Sequence, residues 1–237
     1  MKPRICILIN NYEEIEALNI IEQYLPSHKY AVTIACDFPS DYVSYNIIAP
    51  LNYKKIIKEV DKAHNIIIFH AADLPNGKGW APIYYVITEK KEQYVVTGIK
   101  ASKDVDSGDI VIKARFEILA NYTATFLRLV DYHLFFLLIA KLLEVWPTGN
   151  LSSIKQEGSG NYRKRRYPSD NEIDVSLPFI NLIPHLRAVE QQHPAYFKHE
   201  VEKYFVSVYP ENKPIFPKKV FIEYSAIDRN EIWEGWA

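Results

Sequence analysis

Two short β-branched runs, residues 4–10 (RICILIN) and 30–36 (YAVTIAC), flank a stretch over Tyr12–Tyr24 that puts Ile15, Leu18, Ile20 and Ile21 on one helical face. The pattern predicts a βαβ opening, hence a parallel sheet with a right-handed crossover. Residues 45–49 (YNIIA) and 65–70 (NIIIFH) are apolar without alternation, as strands covered on both faces are. Lys54–Val60 between them reads as a short helix. Ala81–Lys91 reads as a helix behind a Gly/Pro-rich loop, and Tyr94–Lys100 and Ile110–Phe116 as paired strands joined by the polar loop Ala101–Asp109. The longest helical pattern is Tyr122–Val145, with Phe126, Leu129, Val130, His133, Leu137, Ala140 and Leu143 near the 3.6 period and Pro147 as its stop.

An α/β body therefore spans residues 1–147, and residues 148–237 form a C-terminal extension. Residues 148–172, with Gly149, Gly158, Gly160 and several serines, read as a surface connection. Leu177–Val189 follows as a helix, Ala195–Lys198 and Lys203–Tyr209 as a small hairpin, and Lys218–Tyr224 as a further strand. Trp233 and Trp236 are expected to pack on the body.

Composition removes several functions. Only eight of 237 residues are glycine and none precedes Gly77. The first third therefore holds neither a Walker A loop nor a G-x-G-x-x-G turn, both of which need glycine where backbone meets phosphate. A net charge of −1 leaves no excess of cations for broad nucleic-acid binding; the run Arg163–Arg166 is the local exception. The most apolar stretch, Leu134–Ala140, is far shorter than the roughly 18 residues that span a bilayer, so no membrane association is expected. Cys6 and Cys36 sit in apolar runs as free thiols, and no signal peptide is legible. Both readings suit a cytoplasmic protein. His193 and His199 have no further ligands near them, and no metal is expected.

The chemistry concentrates in Phe69-His70-Ala71-Ala72-Asp73-Leu74-Pro75-Asn76-Gly77-Lys78-Gly79-Trp80-Ala81-Pro82. His70 stands at the carboxyl end of a predicted parallel strand, the edge where α/β sheets hold ligands. Some way downstream, Val105-Asp106-Ser107-Gly108-Asp109 puts two carboxylates on a turn before a strand. A histidine and an aspartate on adjacent loops can form a general acid/base pair. Taken alone, Asp73 and Asp109 read as turn residues.

These residues resemble the folate-dependent formyltransferases, whose pattern is roughly N-x-H-P-S-x-L-P, a Gly-rich turn, a helix and D-x-G-D/P. His70, Leu74-Pro75 and Asp106-x-Gly108-Asp109 match it. The form H-A-A-D-L-P-N-G-K-G-W-A-P is similar to the nucleotide-sugar N-formyltransferase branch. So, more loosely, are Tyr162–Asp174, Leu186-Arg187-Ala188-Val189 and Pro194-Ala195-Tyr196-Phe197. The resemblance implies a Rossmann-like formyltransferase core with a mostly parallel sheet, plus a small C-terminal helix and hairpin. It implies transfer of the formyl group of N10-formyltetrahydrofolate to the amine of a UDP-, dTDP- or GDP-linked amino sugar, for surface polysaccharide such as O-antigen. His70 and Asp106 would be catalytic, with Asp106 orienting His70 and holding a relay water. Leu51, Asn52, Tyr53, Val105 and Asp106 would bind the folate, and Asp73, Lys78, Trp80, Arg165, Arg166 and Arg187 the nucleotide sugar. An arginine fork suits a diphosphate.

One departure stands out. The family's oxyanion-holding asparagine, two residues before the histidine, is Ile68 here, and an aliphatic side chain donates nothing to developing charge. Either another donor such as Asn52 substitutes, or the chain is a binding relative without turnover. Formylation of aminoacyl-tRNA is a further reading, disfavoured by the charge and by a chain too short after the body for a tRNA-binding barrel. The aromatic-rich tail leaves a homodimer open.

Overall fold

The structure is a computed structural model that describes residues 1–11, 15–55, 57–58 and 65–236. Strand β1 (Arg4–Leu8) lies between β2 (Ala31–Ala35) and β3 (Ile47–Pro50), parallel to both. Its alternating side chains enter different cores: Ile5 and Ile7 face the main core, while Cys6 and Leu8 pack with Tyr45, Ile48 and Ile66 behind the sheet. Burial on both faces is what the unbroken apolar runs predict. The segment from β1 to β2 carries two short helices, α1 (Ile15–Leu18) and α2 (Ile21–Tyr24), where one helix over Tyr12–Tyr24 is expected. Residues 12–14, and residues 56, 59 and 60 of the expected Lys54–Val60 helix, lie outside the described residues.

A parallel bridge from Ile48 to Ile66 leads the sheet on to β4 (Ile67–His70). Beyond β4 the strands alternate in direction. β6 (Gln93–Lys100) pairs antiparallel with β4 and with β7 (Ile110–Glu117). β11 (Val220–Tyr224) adds antiparallel to β7, and β12 (Arg229–Trp233), which hydropathy alone does not reveal, to β11. The Rossmann-like core is thus its parallel part, and the expectation of a mostly parallel sheet fails beyond β4. Short links impose this on β6–β7 and on β11–β12, because parallel neighbours need a crossover of about a dozen residues or more. The last residues return into the sheet of the body instead of standing apart from it.

Helix α3 (Pro82–Thr88) follows the two-residue strand β5 (Lys78–Gly79). Helix α4 (Ala124–Val145) starts one residue after Thr123, whose Oγ1 accepts the Phe126 N–H at 3.3 Å. Its buried set is wider than the predicted stripe: Leu134, Leu138 and Leu142 are fully buried, whereas Leu129 is exposed. The helix is covered on several sides by the sheet, by α1, α2 and α3, and by the tail, so no single apolar face is needed. In the tail, the Trp236 indole N–H donates to the Tyr24 hydroxyl at 2.7 Å, which meets His133 Nδ1 at 2.7 Å.

The expected surface connection carries more structure than its composition suggests. Its strand β8 (Tyr162–Arg163) runs parallel to β5. Helix α5 (Phe179–Ala188) and the hairpin of β9 (Ala195–His199) and β10 (Glu202–Val206) follow as predicted. No described helix is long and apolar enough to cross a membrane.

Candidate active site

His70 is the last residue of β4 and Asp106 sits on the turn leading into β7, so neighbouring strands β4 and β6 bring them together from distant sequence. Both are buried. The His70 imidazole donates Nε2–H to the Gly77 carbonyl at 2.8 Å, which fixes that tautomer, and Nδ1 stands 3.6 Å from Asp106 Oδ2. That separation is an electrostatic contact longer than a hydrogen bond. The same Oδ2 accepts the Gly79 N–H at 2.8 Å. The backbone of Gly77 and Gly79, on either side of Lys78, therefore grips both members of the pair. At Gly79 an added Cβ would stand 2.7 Å from the Arg163 carbonyl oxygen, and φ is +94°.

A cleft of about 660 Å³ opens beside Asp106. Asn52, Tyr53, Val105 and Asp106 line it; Ile68, Phe69 and Ile99 form its apolar wall. Leu51 does not line it, because its side chain is buried in the main core. Asn52, in the left-handed region at φ +51°, donates its amide to the Tyr132 hydroxyl at 3.2 Å. Ile68 packs with Leu74, Ile99 and Ile110.

The other predicted contacts divide. Lys78 is buried, with Nζ donating to Ser107 Oγ at 3.1 Å beneath the Tyr162 ring. Trp80 is exposed, and Arg165 stacks between it and Tyr167 at 4.5 and 5.4 Å, with no carboxylate among the described residues paired to the guanidinium. Arg166 turns inward, donating to the Asp170 carbonyl at 2.7 Å and Asn171 Oδ1 at 2.8 Å over the Tyr84 ring. Asp73 is held by Lys113 at 2.5 Å. Arg187 is not brought to the pair: it donates to the Tyr122 carbonyl at 2.7 and 3.1 Å and borders a different cleft. Among the described residues no group of three His, Cys, Asp or Glu side chains converges as a metal site would. Sequence reasoning misses Gln156 and Asn161, whose side chains bind the backbone around the pair. A polar side chain in a loop without hydrophobic rhythm gives no signal of its target.

No family model matches the chain. Methionyl-tRNA formyltransferase from Streptococcus pyogenes serotype M6 is 29% identical over 133 residues, 55% of this chain and 42% of that relative's length. The chain therefore matches less than half the length of these curated relatives. Among solved structures, a methionyl-tRNA formyltransferase from Clostridium thermocellum aligns over 99% of this chain and 100% of its own, with a TM-score of 0.64 at 21% identity. A 4-N formyltransferase from Francisella tularensis covers 89% of this chain and 99% of its own, with a TM-score of 0.69 at 20% identity. HypX from Aquifex aeolicus in complex with tetrahydrofolic acid covers 98% of this chain and 43% of its own, with a TM-score of 0.69 at 17% identity. The chain thus shares its fold with formyltransferase structures and, over about half its length, is similar in sequence to methionyl-tRNA formyltransferases.

Proposed function

We propose that the chain moves a formyl group from N10-formyltetrahydrofolate to the amine of a nucleotide-linked amino sugar. The observation that carries this reading is the buried His70–Asp106 pair beside a cleft with a flat aromatic and aliphatic lining. Tyr53, Phe69, Ile68 and Val105 suit a planar bicyclic ring. When bound, the donor supplies an activated formyl carbon. This chain's residues then handle protons. The attacking amine must lose one and the departing folate nitrogen must gain one. His70 relays it, and Asp106 orients the ring and holds a water at its Oδ1 side. Exposed Arg165 with Trp80 offers a fork for a diphosphate and a face for a base. Arg166, satisfied internally, supports Arg165 by fixing the loop.

The test is incubation with N10-formyltetrahydrofolate and a panel of UDP-, dTDP-, GDP- and CMP-amino sugars, read by mass spectrometry. One sugar should gain a single formyl group, and His70→Asn should abolish the gain. Wild type and His70→Asn behaving alike across the panel would sink the reading. A second reading, ligand binding without turnover, is favoured by one observation: Ile68 fills the position of the family's asparagine. Calorimetry showing tight folate binding, with no product after hours, would select it.

A further inference from the structure

The segment predicted as a plain surface connection reaches both halves of the His70–Asp106 pair. Ile154 exchanges backbone hydrogen bonds with Ile110 at 2.8 and 2.9 Å, fixing the segment to the strand that follows the Asp106 turn. Gln156 then gives both protons of its side-chain amide to carbonyls, those of Asp106 and Gly108, each at 2.8 Å. Its Oε1 is buried and finds no partner among the described residues. Leaving a buried acceptor orphaned is costly, so the side chain is held there by its amide nitrogen. Asp106 has φ +52°, a left-handed conformation that persists in a non-glycine residue only where the surroundings hold it.

Asn161 does the same for the other half. Its Oδ1 accepts the Gly77 N–H at 2.5 Å, and its carbonyl accepts the Lys78 N–H at 3.0 Å. Gly77 is the residue whose carbonyl receives His70 Nε2–H. Between these two anchors Gly160 passes so close to Pro75 that a Cβ would stand 1.9 Å from its carbonyl oxygen. The segment then runs directly into Arg165.

We propose that Gln156 and Asn161 are positioning residues, which hold Asp106 and His70 respectively through the backbone. One strap thereby sets the geometry of the pair and carries the cation that faces the acceptor. The catalytic meaning of this arrangement rests on the formyl-transfer reading; the arrangement itself does not.

The experiment compares Gln156→Met, Asn161→Leu, Asn161→Asp and the exposed-site control Lys155→Ala, with two readouts. Steady-state kinetics should show kcat lowered about 10- to 100-fold in Gln156→Met and Asn161→Leu at nearly unchanged KM, the scale of a small misplacement of reacting groups. Asn161→Asp, which keeps the acceptor, and Lys155→Ala should stay near wild type. NMR exchange on the free protein should show the Gly79 amide exposed in Gln156→Met and the His70 Nε2–H exposed in Asn161→Leu, with the core amide of Ile7 still protected. Exposure that spreads equally to Ile7, protection unchanged at Gly79 and His70, or an active enzyme whose kcat ignores both variants overturns the proposal. Selective exposure in a protein that transfers no formyl group supports the positioning and overturns the formyl-transfer reading.

Discussion

Two clefts of similar volume differ in what their polar groups have left to do. The cleft of about 740 Å³ between α4, the end of α5 and the segment after β10 is lined by Phe126, Leu129, Tyr132, Val208 and Tyr209. Arg128, Glu190 and Arg187 on its wall are already engaged. Arg128 binds Glu190 at 2.9 Å and faces Asp131 at 3.9 Å, Asp131 accepts the Tyr94 hydroxyl at 2.7 Å, and Arg187 is bound to the Tyr122 carbonyl. The cleft of about 660 Å³ has Asp106 at its edge, in contact with an imidazole able to exchange a proton. Size does not separate them; a titratable pair held in place by backbone does.

The largest expected effect follows from removing that pair. His70→Asn or Asp106→Asn should lower formyl transfer by about 10²- to 10⁴-fold, the span of general acid–base catalysis, without lowering the melting temperature by more than a few degrees. Initial-rate assays beside thermal denaturation check this. A rate within a few-fold of wild type would erase the contrast between the clefts.

Next comes the buried network behind the larger cleft, whose role is stability. Burial raises the Asp131 carboxyl to about 6, against the pull of Arg128 and the Tyr94 hydroxyl. A carboxyl whose folded value exceeds its ordinary 3.8 holds its proton more tightly when folded. Its stabilisation is therefore complete below about pH 4 and lost as pH rises through about 6. Relative to Asp131→Asn, the wild type should lose about 3 kcal/mol across that window, measured by chemical denaturation at each pH. A flat difference would show that Asp131 is not desolvated as described.

Smaller effects test the acceptor side. Arg165→Ala should raise KM for the nucleotide sugar about tenfold with kcat unchanged, as loss of a charge-assisted contact does. Arg187→Met should leave KM within about twofold while lowering stability by about 1–3 kcal/mol, since it removes hydrogen bonds from a charged donor to a carbonyl. If Arg187 moves KM more than Arg165 does, the larger cleft belongs to the substrate.

The sequence makes the body legible because its signals are local. The apolar runs of β1 to β4 need no partner to be recognised, and His70 falls at a strand end by counting alone. Asp106 is found through its motif, yet its left-handed backbone is not, because no glycine marks it. The strap is illegible for a related reason. β8 has two residues and no hydrophobic rhythm, and its pairing with β5 depends on hydrogen bonds made across more than eighty positions. The fates of Arg166 and Arg187 follow from nearby carbonyls that only the fold supplies. β12 escapes because Arg229–Trp233 alternates weakly on an edge strand, where one side needs no burial.

The most direct test of the account is methyl NMR of the protein titrated with 5-formyltetrahydrofolate, a folate that cannot donate from N10. The methyls of Ile68 and Val105 in the smaller cleft should shift in a saturable manner, while those of Leu129 and Val208 in the larger one stay fixed. Shifts confined to Leu129 and Val208 would contradict it.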